Sequence, residues 1–379
     1  MDVKELVEEQ FPYIVALRRH FHQEPEPSTQ ERRTSDRVAR ELEAMGIPCE
    51  RLEHYGVVGH IHGTGPGKVL ALRADMDALL MEETAPVPFR SRRTGVMHAC
   101  GHDAHTASLL GAARVLSRLT GRFRGEVRLL FQPAEEVCLG ARGMINAGAL
   151  DGVDTIFGMH VDLSQPAGKL DLTPGVRTCA ATRFQFRFQP TGEVGPSPAV
   201  TAAADAILAL QTIASREISP TSVFALSCCQ VGSGGEDRPN SVTVEGTCRF
   251  SDLSLRETLG RRMERILGGI AAAHGVAADL ELEYIAYPLV NDEAACAQAQ
   301  ESAAKLFGPE CLVRSGTASV SEDFAEYLQV VPGAYGQLGA NLPDMSLTLP
   351  NHNPGFCINE RALFYGASLF VRYALDVLA

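Results

Sequence analysis

Residues 183–189 read RFQFRFQ, a strict alternation of polar and apolar side chains. That period of two marks a strand with one buried and one solvated face. The runs that precede it differ. Segments 57–61 (VVGHI), 69–72 (VLAL), 127–131 (VRLLF) and 155–159 (TIFGM) are mostly apolar throughout and read as strands covered on both faces. Between them, 104–119 has helical periodicity with Asp103 placed as its N-cap, and 140–148 reads as a short helix ended by glycine. Two further helices are expected at 2–20 and 29–45, the second stopping at Gly46-Ile47-Pro48. Strands alternating with helices imply a mostly parallel sheet. Downstream of RFQFRFQ the order is helix 199–216, strands 222–231 and 241–251, helix 253–274 and strand 279–287. With 183–189 this is β-α-β-β-α-β, the ferredoxin-like arrangement. After Pro288 the α/β character returns, with helices at 292–306 and 360–378 and a strand at 334–338. The fold class expected is therefore α/β: a discontinuous domain of residues 1–180 and 289–379, and an inserted ferredoxin-like α+β domain of 181–288.

The chain has 379 residues, of which 45% are apolar and 21% charged, an ordinary balance for a globular protein. Its 34 basic and 46 acidic residues leave a net charge of −12, which disfavours nucleic acid or an anionic membrane as the main partner. No run of 18 apolar residues predicts a membrane span, and the acidic start MDVKELVEEQ does not read as a signal peptide. Ten cysteines are scattered without a CxxC pair, so reduced thiols in a cytoplasmic protein are expected.

Polar clusters gather after the predicted strands. Asp75-Met76-Asp77 follows 69–72, Glu135-Glu136 follows 127–131, and His160 ends the strand beginning at 155. Open α/β sheets bind ligands beyond the carboxyl ends of their strands, so these clusters should converge. The densest run is MHACGHDAHT (97–106). There Cys100 and His102 flank a glycine at a helix entrance, a thiolate and an imidazole suited to zinc or another transition metal. His105 follows on the same helix face and reads as a supporting residue, with a ligand role open. His352 lies in the proline-bounded loop PNHNP (350–354). Adjacent carboxylates such as Glu135-Glu136 suit metal-assisted hydrolysis, where one holds the ion and the other takes a proton from water. Taken singly, Glu135-Glu136 is more often a solvated pair, Asp75-Met76-Asp77 could be a helix cap or a turn, and Cys100 is more often a small buried hydrophobe.

Together these runs resemble the family of co-catalytic metallopeptidases and aminoacylases. The likeness is to the branch of hippurate hydrolase, plant auxin-conjugate hydrolases and N-acetyldiaminopimelate deacetylase. The matching stretches are ALRADMDAL (71–79), MHACGHDAHTA (97–107), FQPAEE (131–136), GARGMINAG (140–148), GMHV (158–161), SEDF (321–324) and NHNPGF (351–356). The resemblance implies two divalent ions per subunit, manganese or zinc first and cobalt or nickel next, bound by Cys100, His102, Glu136, His160 and His352. It implies Glu135 as general base, and Asp77 as the carboxylate that orients a ligating imidazole. The reaction implied is hydrolysis of an N-acyl amino acid or a similar small amide. A homodimer through the inserted lid domain is implied as well.

The lid departs from the family pattern. Where relatives carry a glycine-rich GGHxAxPH segment, residues 190–198 read PTGEVGPSP, and no histidine occurs between His160 and His274. The family's NVIP segment is shortened to Arg238-Pro239-Asn240-Ser241. Arg183, Arg238 and Arg249 are the lid cations that could take over the carbonyl. A metal-dependent amidohydrolase with an altered lid is the leading expectation. A dipeptidase or carboxypeptidase acting on dipeptides and free C-terminal residues is the alternative within enzymes. A silent metal- or ligand-binding homologue is the alternative outside them.

Overall fold

Alternating apolar segments and amphipathic helices fold as their periods direct. A computed structural model describes residues 2–192, 198–219, 222–233, 240–344 and 348–379. Residues 193–197 of the altered lid segment, together with Arg238 and Pro239, lie outside the described residues. The chain divides into two compact units: Met1–Gly175 with Asn291–Ser315 and Glu326–Ala379, and Val176–Val290 with Gly316–Ala325.

The first unit opens with helices α1 (Val3–Gln23) and α2 (Arg32–Ala44). Then come strands β1 (Cys49–Arg51), β2 (Val57–His62) and β3 (Val69–Asp75), helix α3 (His102–Leu116), strand β4 (Glu126–Gln132), helix α4 (Gly140–Asn146), and strands β5 (Thr155–Pro166) and β6 (Leu170–Asp171). The second unit holds β7 (Ala180–Pro190), α5 (Pro198–Thr212), β8 (Phe224–Ser233), β9 (Val242–Phe250), α6 (Ser254–His274) and β10 (Val276–Ala286). The first unit resumes with α7 (Glu293–Phe307), β11 (Leu312–Val313), β12 (Gly333–Asn341) and α8 (Arg361–Val377).

The sheet of the first unit runs in the order β1-β2-β4-β3-β5-β12-β6-β11. Its centre is parallel, with β3 between β4 and β5, and β5 beside β12. The central strands are buried on both faces, which explains why their sequences do not alternate. The second unit has an antiparallel sheet in the order β10-β7-β9-β8, crossed by α5 and α6. In β7 the side chains of Phe184, Phe186 and Phe188 are buried, while Arg183, Gln185 and Arg187 take the other face. Phe186 lies opposite Val244 of the central strand β9, so the alternation fixes the register of this core.

Three local expectations need correction. The helix expected from residue 29 begins at Arg32, because residues 24–31 form a loop with Thr29 at positive φ. Asp103 does not cap α3; Gly101 does, and Asp103 sits in the first turn with its carboxylate turned to α1. His160 does not end its strand, because β5 stays paired to β12 as far as Pro166. Its pairing with β3 stops at Arg73 and Gly158, so in the same register His160 stands level with Asp75, the end of β3. By length and composition the helical stretch Pro198–Glu217 is apolar enough to cross a membrane. Its Ala199, Ala202, Ala203, Ala206 and Leu210 are nevertheless packed in the core of the second unit.

Candidate metal centre

Strand β3 ends at Asp75 and the chain continues directly into Asp77, whose side chain is buried. Strand β4 ends at Gln132, and a tight turn carries Ala134, Glu135 and Glu136. That turn is closed by the Ala134 carbonyl, which accepts from the N–H groups of Leu139 and Gly140. A Cβ at position 140 would collide with the Pro133 carbonyl, so only glycine fits there. Gly101, at φ +100, turns the chain so that Cys100 and His102 project from the start of α3. A side chain at Gly101 would collide with Val161 as well as strain the backbone. His352 also has positive φ, and its loop is tied to the Cys100 loop from two sides. The His352 N–H donates to the Ala99 carbonyl (2.8 Å), and Asn351 Nδ2 donates to the Cys100 carbonyl (3.1 Å).

These elements bring the five expected ligand residues together. The donor atoms of Cys100, His102 and His160 lie within 4.8 Å of one another, and so do those of Cys100, Glu136 and His352. Cys100 belongs to both sets, so its thiolate would be available to either of two ions. Glu135 and Glu136 form a third set with His102. Cys100 Sγ is 3.3 Å from His160 Nε2, and His352 Nε2 is 3.2 Å from Glu136 Oε2. Neither His102 Nε2 nor Glu136 Oε1 has a hydrogen-bond partner among the described residues, yet both are buried and only 3.8 Å apart. Ligand atoms about 2.0–2.3 Å from a common ion stand about 3–4 Å from each other. Two buried donor atoms without a hydrogen-bond partner at that separation fit a shared cation.

The imidazole tautomers agree with that fit. His102 Nδ1 faces Asp77 Oδ1 (3.1 Å), a carboxylate that can only accept, so Nδ1 carries a proton and Nε2 is the nitrogen left for an ion that displaces its proton. His160 Nδ1 donates to the Val161 carbonyl (2.8 Å), which again makes Nε2 the nitrogen that faces Cys100. His105 is different. Its Nδ1 donates to Asp75 Oδ1 (2.6 Å), and its Nε2 accepts from the Val161 N–H (3.0 Å). Both ring nitrogens are thus used and no lone pair remains for an ion, so the ligand role left open for His105 is excluded. Burial lowers its pKa, consistent with this neutral form. Asp75 is a buttress too: Arg73 Nη1 donates to it at 2.6 Å and Thr106 caps its carbonyl.

The electrostatics are those of a donor nest awaiting positive charge. Burial would raise the Cys100 thiol, but the charges of His160 and His102 hold it well below the usual range, so it is a thiolate. Burial would lower His160, but the thiolate lifts it to about 9. Hydrogen bonding to Cys100 and Glu136 lifts His352 to about 10. Burial pushes Glu136 up to about 7. Without a metal the donors gather protons; a divalent ion would displace them.

Residues 24–31 complete the site, and the motif-based reading of the sequence missed them. Ser28 Oγ donates to Asp77 Oδ2 (2.7 Å), and Glu31 Oε1 accepts from the Ala134 N–H (2.8 Å). Of the lid arginines, Arg183 pairs with Glu283 on the solvent face of its sheet, and Arg249 donates to Ser321 Oγ (2.9 Å).

A parallel α/β unit with a thiolate, imidazoles and carboxylates beyond its strand ends, plus an inserted antiparallel unit, defines a metal-dependent hydrolase class. Residues 71–376 match the model of peptidase family M20/M25/M40, and the chain belongs to that family. It is 37% identical to thermostable carboxypeptidase 2 of Saccharolobus solfataricus over 97% of this chain and 94% of the relative. It is 39% identical to an N-acyl-L-amino acid amidohydrolase of Geobacillus stearothermophilus, over 76% of this chain and 81% of that one. A Bacillus subtilis protein solved as a dinuclear metal-binding peptidase of the M20 family superposes with a TM-score of 0.86 at 33% identity, covering 98% of this chain and 99% of that one. The chain is accordingly a metal-dependent amidohydrolase of this family.

Proposed function

We propose that the protein hydrolyses the amide bond of an N-acyl amino acid, with Cys100, His102, Glu136, His160 and His352 holding two divalent ions. The observation that carries this reading is the pair of buried donor atoms without a hydrogen-bond partner among the described residues, His102 Nε2 and Glu136 Oε1, within a cluster that shares Cys100. Such ions supply Lewis-acid polarisation of the carbonyl and a water acidic enough to ionise near neutral pH. The protein's own residues do the rest. Glu135, whose carboxylate stands 3.9 Å from His102 Nε2, takes the proton from the attacking water and passes it to the leaving amine. Asp77 keeps the His102 ring oriented with Nε2 as the nitrogen left for an ion. A mixed set of thiolate, imidazole and carboxylate suits zinc or manganese, with cobalt and nickel as functional substitutes.

The second unit serves, in this reading, as a homodimerisation module in a cytoplasmic enzyme. Val200 and Leu208 on α5 and Val231 on the sheet-edge strand β8 are exposed apolar side chains. The carboxypeptidase relative favours a second reading, cleavage of C-terminal residues from short peptides. Metal analysis of the purified protein, with a panel of N-acyl amino acids and dipeptides assayed before and after chelation, decides between them. Two ions per chain and chelator-sensitive hydrolysis of N-acyl amino acids is the expected result; strict preference for dipeptides selects the second reading. Glu135→Ala should abolish turnover while both ions still bind, and unchanged turnover would remove Glu135 as the base.

A further inference from the structure

The loop between α1 and α2 reads EPEPSTQE (24–31) and joins the ends of two neighbouring strands. On the β3 side, the Ala78 N–H donates to the Glu26 carbonyl (2.8 Å) and Ser28 holds Asp77. On the β4 side, one oxygen of Glu31 accepts two backbone N–H groups, from Ala134 (2.8 Å) and from Thr29 (3.0 Å). Both of those residues have positive φ, at 55° and 68°, a region that side-chain-bearing residues rarely occupy. Strained backbone of this kind persists only where its surroundings over-determine it, and it gathers at functional sites. Ala134 is over-determined. Its N–H is held by Glu31, and its carbonyl is held by Leu139 and Gly140. The next two residues are Glu135 and Glu136, and the Glu136 N–H is tied to Asp77 Oδ2 (3.0 Å).

Glu31 is fully buried, and its second oxygen has no hydrogen-bond partner among the described residues. A carboxylate is costly to keep in such a place for packing alone. Among the described residues its side chain's hydrogen bonds are to these two N–H groups. We propose that Glu31 is a positioning residue of the metal centre: by fixing the left-handed Ala134 backbone, it sets the directions of the Glu135 and Glu136 carboxylates. The inference rests on the reading above, in which Glu136 holds an ion and Glu135 moves the proton.

The role belongs to an acceptor oxygen at a set distance, not to a charge. Burial, with Asp77 nearby, raises Glu31 to about 7, so a neutral amide is a close mimic near neutral pH. Glu31→Gln keeps the acceptor in place. Glu31→Asp keeps the acid but withdraws it by one methylene. The experiment measures Mn²⁺ binding to metal-free full-length protein by calorimetry. It also measures kcat and KM on an N-acyl amino acid that the wild type turns over, and the melting temperature of each variant. Glu31→Gln is expected to stay near wild type in all of these. Glu31→Asp and Glu31→Ala are expected to lose about 10–100-fold in kcat and in one Mn²⁺ binding step, with KM held. Wild-type Mn²⁺ binding and kcat in Glu31→Asp would overturn the proposal, and so would a Glu31→Gln variant as impaired as Glu31→Asp. Should Glu31→Ala fail to fold, the Gln and Asp pair still decides. Full turnover in Glu135→Ala would instead sink the functional reading, while the Mn²⁺ series would go on testing Glu31.

Discussion

Asp77 shows how one side chain can set the chemistry of another. Its Oδ1 accepts from His102 Nδ1, while its Oδ2 accepts from both Ser28 Oγ and the Glu136 N–H. Burial would raise its pKa, but the hydrogen bond from His102 holds it below the ordinary carboxylate range. It is therefore ionised wherever the site would work. In Asp77→Asn only one oxygen remains. The position facing two donors keeps that oxygen, so the amide NH₂ turns to His102 and forces Nδ1 to accept. The ring's remaining proton is then held on Nε2, the nitrogen that would otherwise face an ion. The expected outcome is a loss of about 10–100-fold in Zn²⁺ or Mn²⁺ affinity, read by chelator competition, with little change in melting temperature. Unaltered affinity would show that His102 Nε2 is not a ligand atom.

At the scale of elements, α3 is held to α1 by charge. Arg18 Nε and His22 Nδ1 both reach Asp103 Oδ2 at 2.8 Å, and His22 Nε2 meets Glu83 at 3.0 Å. Arg18 and Asp103 are each buried to within 1% of complete. Burial would raise Asp103, but Arg18's charge and the His22 hydrogen bond hold its carboxyl far below the usual range. Arg18→Met strips one cation from a buried anion, which costs about 3 kcal/mol or more. A group depressed in the folded state stabilises above its unfolded pKa of about 3.9, and that share is lost as pH falls through the folded value. The variant's deficit in urea unfolding should thus be full at pH 7 and shrink in strong acid. His22 carries the opposite sign. Burial lowers it, but Asp103 and Glu83 raise it further, so its share is full below about 6.5 and fades as pH climbs past the folded value. A pH-independent deficit would mean that Arg18 acts through packing alone. This cluster also marks where the sequence stops being legible. Cys100 and His102 stand out because the metal chemistry is written within a few consecutive residues. The strand ends stand out because buried parallel strands are apolar throughout. Asp103 sits where caps usually sit and reads as one, although its partners lie 85 and 81 positions away on α1. Ser28 and Glu31 act across 49 and 103 positions. No local period encodes such pairings; only the tertiary fold creates them. A polar signal was present nonetheless, since Arg18 and His22 fall on the buried stripe of α1 with Ile14 and Phe21.

At the scale of the whole molecule, the described residues form two hydrophobic cores that share no residue. One runs from Val3 through the central strands to Leu378, and the other lies between Ala180 and Val276. The alternation of RFQFRFQ belongs wholly to the second, whose core holds Phe184, Phe186 and Phe188 together with Val244, Leu259 and Met263. All five proposed ligand residues, the proposed base and Asp77 lie in the unit of the first core. A ligand stabilises only the unit whose folded state binds it, by about 2.7 kcal/mol at a hundred times its dissociation constant. For a unit of this size each kcal/mol is worth about 2–4 °C, so metal should move one calorimetric transition upward by about 5–10 °C. The transition of the second unit should stay where it is. Because the donors hold protons in the metal-free state, the shift should shrink as pH falls toward 5, where protons compete with the ion. Differential scanning calorimetry of the chelated and Zn²⁺-loaded protein at pH 7.5 and pH 5 measures all three effects. A single transition that moves as a whole would show that the two cores unfold as one cooperative body. A shift that is the same at both pH values would show that metal does not displace those protons.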